Sequence, residues 1–185
     1  ELKRLHQRTM REHEIAKTVF ENAFSRSFLD CKNTRFYVSP ATTFNGDILL
    51  TAHSPSGGLY TLIADFTGHG LPAALGALPL SQTFFAGASK GLSVSDIARD
   101  LNRSLAKFLP DDMFAAATVA ELNNEGTRLS LWSGGMPDAI ITDASGKHKQ
   151  TVSAIHMPLG VLADHEFDRQ VHVIDVEIDD RVYLK

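Results

Sequence analysis

Two acidic residues are placed where they could do chemistry together. Asp47 heads an apolar run, directly after Asn45-Gly46, and Asp65 ends the next one, directly before Phe66-Thr67-Gly68-His69-Gly70. The runs, Asp47 to His53 and Leu59 to Asp65, are joined by Ser54-Pro55-Ser56-Gly57-Gly58, a strong turn signal that predicts a β-hairpin. In a hairpin the start of one strand and the end of its partner share an edge, so Asp47 and Asp65 are predicted to be neighbours in space. Two carboxylates side by side repel, and each is costly to desolvate unless a cation lies between them.

Hard oxygen ligands select Mg²⁺ or Mn²⁺ over zinc. Paired ions of that kind bind phosphoryl oxygens, bring the pKa of a shared water toward neutrality and aim it at phosphorus. The glycines after Asp65 let the backbone approach closely, which makes the Phe66 carbonyl a further candidate ligand. Gly46, Thr67, Gly68, His69 and Gly70 are candidates to line the site. On the alternative reading Asp47 is a plain strand-edge acid and Asp65 a cap near a helix start, and spacing alone leaves the two open. His69 divides between a general acid and a structural turn histidine, the second being favoured. His53, within the hairpin strand, reads as a surface residue.

The rest of the chain must position that pair. Residues 1–28 read as one long helix, polar in its first half, with Ile15, Val19 and Ala23 spaced by four and Phe20 and Phe24 beside them. That pattern fits a linker helix docking by its last turns, or equally a solvated tail. A short strand is expected over Arg35 to Ser39. Pro72 suits the first turn of a new helix, rich in Ala73, Ala74, Leu75 and Leu78, which Pro79 should kink or end. Ser93 or Ser95 can cap a second helix lined by Val94, Ile97, Ala98, Leu101, Leu105 and Phe108 and stopped by Pro110-Asp111-Asp112. Strands follow at Phe114 to Leu122, Arg128 to Ser133, Ala139 to Thr142, Gln170 to Glu177 and Arg181 to Lys185. Their short turns, Asn123 to Gly126 and Asp143 to Gly146, leave no room for parallel crossovers, so the expectation is an antiparallel α+β layered fold.

Composition sets outer bounds. The 185 residues suit one domain, and 43% hydrophobic with 22% charged residues is ordinary for a folded protein. A net charge of −4 argues against a nucleic-acid partner. The lone Cys31 cannot form an internal disulfide or a thiolate cluster. No run approaches the roughly 18 apolar residues of a membrane span, and the basic start, Lys3-Arg4 to Arg11, lacks a signal-peptide core. No membrane and a reducing cytoplasm are the expectation.

The segment Asp65-Phe66-Thr67-Gly68-His69-Gly70-Leu71-Pro72-Ala73-Ala74-Leu75 closely resembles the D-x-[ST]-G-H-G-x-x-A-A-L signature of the stage II sporulation protein E and RsbU-like branch of the PP2C-type, metal-dependent serine/threonine phosphatases. Further segments resemble the family's in the same order. They are Asn45-Gly46-Asp47 (its G-G-D), Asp112 to Ala117 (D-M-F-x-T-A), Ser133-Gly134-Gly135-Met136-Pro137 (A-G-H-x-P), Pro158-Leu159-Gly160-Val161 (P-L-G-[IV]) and Asp180 to Leu184. The resemblance covers nearly all of the chain after residue 35. It implies a layered α/β/β/α sandwich of mostly antiparallel sheets flanked by helices. Asp65 would bridge two Mn²⁺ or Mg²⁺ ions, with the Phe66 carbonyl and Asp47 completing one site.

The resemblance further implies hydrolysis of phosphoserine on an anti-sigma-factor antagonist. The domain would span residues 29–185 and serve as output of an upstream receiver or sensor, with residues 1–28 as linker or coiled coil able to pair in a homodimer. Three departures stand out. Asn45 and Leu50 replace a glycine and a second acid, Gly135-Met136 stand where Gly-His is usual, and Lys185 falls just before the expected T-D-G acid. The last reads as a domain cut short at its C-terminus. A degenerate phosphatase fold kept as a protein-binding adaptor is the rival reading.

Overall fold

The computed structural model of the chain describes residues 46–68 and 71–185, the stretch 34–37, and, before these, Arg11, Ile15, Thr18 and Ser27. Arg11, Ile15 and Thr18 are helical, whereas Ser27, expected inside the same helix, is not. The remainder of that helix, its linker or coiled-coil role, and Cys31 lie outside the described residues.

The hairpin forms where alternation and turn chemistry place it. β1 (Asp47–His53) and β2 (Leu59–Phe66) pair antiparallel in a continuous register from Asp47 opposite Asp65 to His53 opposite Leu59. Ser54 closes the turn by donating its N–H to the Gly58 carbonyl at 2.8 Å and accepting the Gly58 N–H on Oγ at 2.9 Å. Gly57, at φ 89°, takes the left-handed conformation that the turn needs.

Two helices follow, α1 (Leu71–Ser89) and α2 (Val94–Phe108). Of the two outcomes expected at Pro79, a kink or an end, the end does not occur, and α1 runs ten residues past it. Ala77, Leu80, Phe84 and Ala88 are buried on that helix, so packing outweighs the lost hydrogen bond. The carbonyl freed by Pro79 belongs to Leu75, an exposed residue. α2 begins as predicted: the Ser93 hydroxyl accepts the Asp96 N–H at 3.1 Å.

The remaining strands are β3 (Ala115–Leu122), β4 (Arg128–Gly134), β5 (Ala139–Thr142), β6 (His148–Val152), β7 (His172–Asp175) and β8 (Arg181–Tyr183). They build a five-stranded sheet in the order β1-β2-β3-β4-β7 and a three-stranded sheet in the order β6-β5-β8, every pairing antiparallel. One core lies between the helices and the larger sheet, with Leu50, Leu62, Phe66, Leu80, Phe84, Leu101 and Trp132. A second holds Leu129, Leu131, Ile174, Ile141 and Val152, drawn from both sheets. The described residues therefore form an α+β sandwich of a helical layer and two sheets.

Three strand expectations need correction. Arg35, Phe36 and Tyr37 lie outside any strand, and with Phe36 and Tyr37 both exposed the run has no buried face to fix it in a sheet; Val38 and Ser39 lie outside the described residues. β7 and β8 are shorter than Gln170 to Glu177 and Arg181 to Lys185. β6 corresponds to no expected strand. Among the described residues no helix is long and apolar enough to cross a membrane.

Between β6 and β7 the chain is strapped to α2. Asn102, 1% exposed, donates to the Leu162 carbonyl and accepts the Gly160 N–H, each at 2.9 Å. Asp164 receives Arg99 through paired hydrogen bonds at 2.9 and 2.7 Å and also binds Arg103 at 3.0 Å. These bonds fix Leu159, which exchanges both backbone hydrogen bonds with Ala115 at the start of β3.

Candidate metal centre

The geometry of the acid pair follows from the ladder. The Phe66 N–H donates to the Gly46 carbonyl at 3.3 Å, making Gly46 and Phe66 a hydrogen-bonded pair. Hydrogen-bonded and non-hydrogen-bonded pairs alternate in an antiparallel ladder, so Asp47 and Asp65 form a non-hydrogen-bonded pair, the kind whose α-carbons stand about 4.5 Å apart with side chains close. The same parity turns the Thr51 N–H outward, where Ser27 Oγ accepts it at 2.9 Å.

Ile48, Leu50, Leu62, Ala64 and Phe66 face the helices, so Asp47 and Asp65 occupy the opposite face, exposed at the sheet edge. The Asp65 carboxyl is pushed above the usual carboxylate range by partial burial first, then by the charge of Asp47 and a hydrogen bond with it.

The backbone adds a third oxygen. A side chain at Gly46 would bring its Cβ to 3.1 Å from the Phe66 carbonyl oxygen and 3.6 Å from the Ala73 Cβ, so glycine at this position keeps a methyl group off that carbonyl. Gly68 sits at φ 85° in open space. Thr67 is fastened to Phe114. His69 and Gly70 lie outside the described residues. Two adjacent carboxylates and a backbone carbonyl are the kind of oxygen donor set that hard divalent cations prefer, and the raised Asp65 carboxyl is what such an ion would relieve. Among the described residues no group of three or more His, Cys, Asp or Glu side chains converges, so this edge offers a pair of acids.

Other segments meet at the same end of the sheet. Asp65 is paired with Ala116, whose Cβ lies 3.3 Å from where a Gly135 Cβ would be, and that Cβ would also strike Pro158 Cγ at 2.7 Å. Asp47, Asp65, Ala116 and the Gly135–Pro158 contact thus continue one another across the sheet. Residue spacing assigns no role to Ala116, Gly135 or Pro158; the Gly-Gly-Met-Pro and Pro-Leu-Gly runs are the available signal. Leu50 points the other way, fully buried in the helix-side core, so an acid missing at that position removes nothing from the edge. His53 is exposed at the far end of β1 from Asp47.

With that geometry in hand, comparison with known proteins is informative. The family model described as stage II sporulation protein E (SpoIIE) matches residues 55–185. The phosphoserine phosphatase RsbP of Bacillus subtilis (strain 168) is 25% identical over 164 residues, which are 86% of this chain and 40% of RsbP. The chain therefore spans well under half the length of that curated relative. Among solved structures, the SiaA-PP2C domain of Pseudomonas aeruginosa matches with a TM-score of 0.72 at 12% identity, over 93% of this chain and 68% of that one. RsbX, solved in complex with magnesium, matches with a TM-score of 0.58 at 20% identity, over 72% of this chain and 61% of that one. At these identities the structural likeness shows a shared PP2C-like fold.

Proposed function

The chain belongs to the stage II sporulation protein E family, and from that premise we propose that it is a metal-dependent protein serine/threonine phosphatase domain. The observation that carries the reading is Asp47 facing Asp65 across the β1–β2 edge, with the Asp65 carboxyl raised by burial and by that neighbour. Two carboxyl groups facing each other carry an electrostatic cost when both are ionised, which a divalent cation removes.

Asp47, Asp65 and the Phe66 carbonyl are the proposed ligands, for Mn²⁺ or Mg²⁺. When bound, the metal would supply Lewis-acid stabilisation of the phosphoryl oxygens and a nucleophilic water at neutral pH. The chain's own part is to hold its oxygens in place. The β1–β2 register brings the carboxylates together, Gly46 keeps a side chain off the carbonyl, and Thr67 and Gly68 shape the loop between β2 and α1. Ala116, Gly135 and Pro158 continue the surface beside the acids with small or rigid groups.

The substrate we propose is phosphoserine on an anti-sigma-factor antagonist protein, in the cytoplasm. The domain would act as the output of an upstream receiver or sensor in the same chain, connected by residues 1–28, through which a homodimer could also form. The family resemblance, the helical state of Arg11, Ile15 and Thr18, and a relative named as a phosphoserine phosphatase support this reading.

The test is turnover of a phosphoserine peptide and of p-nitrophenyl phosphate by the full-length protein, with and without Mn²⁺. Mn²⁺-dependent release of phosphate is expected. Asp65→Asn or Asp47→Asn should lower it by more than the roughly 10–100-fold typical of residues one step removed from a metal. A full-length protein that binds its phosphoprotein partner yet releases no phosphate would instead be an adaptor.

A further inference from the structure

We propose that Thr67 is a positioning residue that aims the Phe66 carbonyl at the Asp47–Asp65 edge; the inference rests on the metal reading above. Three hydrogen bonds join Thr67 to a single residue of the chain entering β3. The Thr67 N–H donates to the Phe114 carbonyl at 3.0 Å, its hydroxyl accepts the Phe114 N–H at 3.0 Å, and the hydroxyl lies 3.3 Å from the same carbonyl as donor. Phe114 is itself held, because the next residue, Ala115, is locked to Leu159 in both directions and is paired with Phe66.

The consequence follows from peptide planarity. The Phe66 carbonyl and the Thr67 N–H belong to one trans peptide unit and point in opposite directions. Fixing the N–H toward Phe114, on the β3 side, therefore fixes the carbonyl toward β1, where Gly46 lacks the Cβ that would crowd it at 3.1 Å. On the far side of the unit Gly68 is exposed at φ 85°, with no described residue within 4 Å of where its Cβ would be. A hydroxyl that both accepts and donates is what the Phe114 peptide groups require, and serine supplies it as well as threonine.

Mn²⁺ affinity of the full-length protein, read as free Mn²⁺ by electron paramagnetic resonance, tests this, together with amide hydrogen exchange at Phe114 in metal-free protein. Thr67→Val, which keeps the shape and deletes the hydroxyl, should bind Mn²⁺ about 10-fold more weakly and exchange the Phe114 amide faster; Thr67→Ser should stay within about twofold of wild type. Thr67 is partly exposed, so folding should survive, and Thr67→Ala provides a second deletion with the same expected loss. Wild-type affinity in folded Thr67→Val and Thr67→Ala, alongside weakened binding in Asp65→Asn, overturns the Thr67 inference and leaves the metal reading standing. Undiminished Mn²⁺ binding by Asp65→Asn, or none by the wild type, overturns both.

Discussion

The ring of Phe66 lies flush on the α-carbon of Gly76, one turn into α1. A Cβ added at Gly76 would sit 2.4 Å from the ring's Cε1 and 2.9 Å from Cδ1 and Cζ. Phe66, 2% exposed, thus serves two layers, its carbonyl at the sheet edge and its ring in the helix-side core. Two effects of Gly76→Ala compete. Alanine favours a helix over glycine by about 1 kcal/mol, while forcing a methyl into a packed core costs about 1–3 kcal/mol. Contact this close with a buried aromatic ring puts the cost at the upper end, so a net loss of about 2 kcal/mol is expected in urea unfolding. A more stable Gly76→Ala protein would mean the ring has room to withdraw.

Removing the metal should reverse the usual effect of deleting a charge. The Asp65 carboxyl titrates above its unfolded value, so the folded state holds the extra proton. A raised carboxyl destabilises the fold at pH values above its folded pKa, and the penalty fades as pH falls through that value. In EDTA at neutral pH, Asp65→Asn should melt higher than wild type, with the gap closing in acid. In Mn²⁺ the order should invert, because only the wild type gains stability from the ion. Melting curves at two pH values, with and without Mn²⁺, check both signs.

Legibility in the sequence followed burial. β1 begins and ends where alternation places it, and α2 matches its Ser93 cap and its apolar face except at Phe108, which is exposed in the last turn, because one side of each element is buried and the other is not. β6 escaped because His148, Lys149, Gln150 and Thr151 are all exposed on an edge strand, so no apolar period marks it. Pro79 does not end α1, because packing of the residues beyond it carries the helix past the point where local chain chemistry allows an end. At the site, the juxtaposition of Asp47 with Asp65 was readable because a hairpin fixes its own register. The approach of Ala116 to Gly135 and Pro158 was not, since it depends on β3 pairing with β4 and on the strap bonded to α2.

The strap should make stability fall in acid. Asp164 is held well below the usual carboxylate range, first by hydrogen bonds from Arg99 and then by those from Arg103. A carboxyl depressed in the fold contributes stability that is present above its unfolded pKa and is lost as pH falls toward the folded value. The expected window therefore opens below about pH 4, the ordinary aspartate value. Asp164→Asn should melt below wild type at pH 7, and the difference should shrink on acidification. Both arginines and the acid are partly exposed, so salt should narrow the gap at neutral pH as well.

Asn102 permits a sharper test of the same strap, because its amide uses one donor and one acceptor in a place closed to water. Asn102→Ala deletes both bonds and strands the Leu162 carbonyl and the Gly160 N–H. Each stranded group costs about 1–3 kcal/mol, so the loss should reach about 2–4 kcal/mol once partial relaxation is allowed. Asn102→Asp separates the two halves. It keeps an acceptor for the Gly160 N–H but, when ionised, cannot donate to Leu162 and places a charge in the interior. Burial should raise that carboxyl, so the penalty stands above its folded pKa and eases as pH falls through it, when the protonated acid can donate again. Asn102→Asp should therefore gain stability relative to wild type on acidification while Asn102→Ala does not. Parallel pH dependence of the two variants would show that shape at this position, rather than the paired hydrogen bonds, ties the strap to α2.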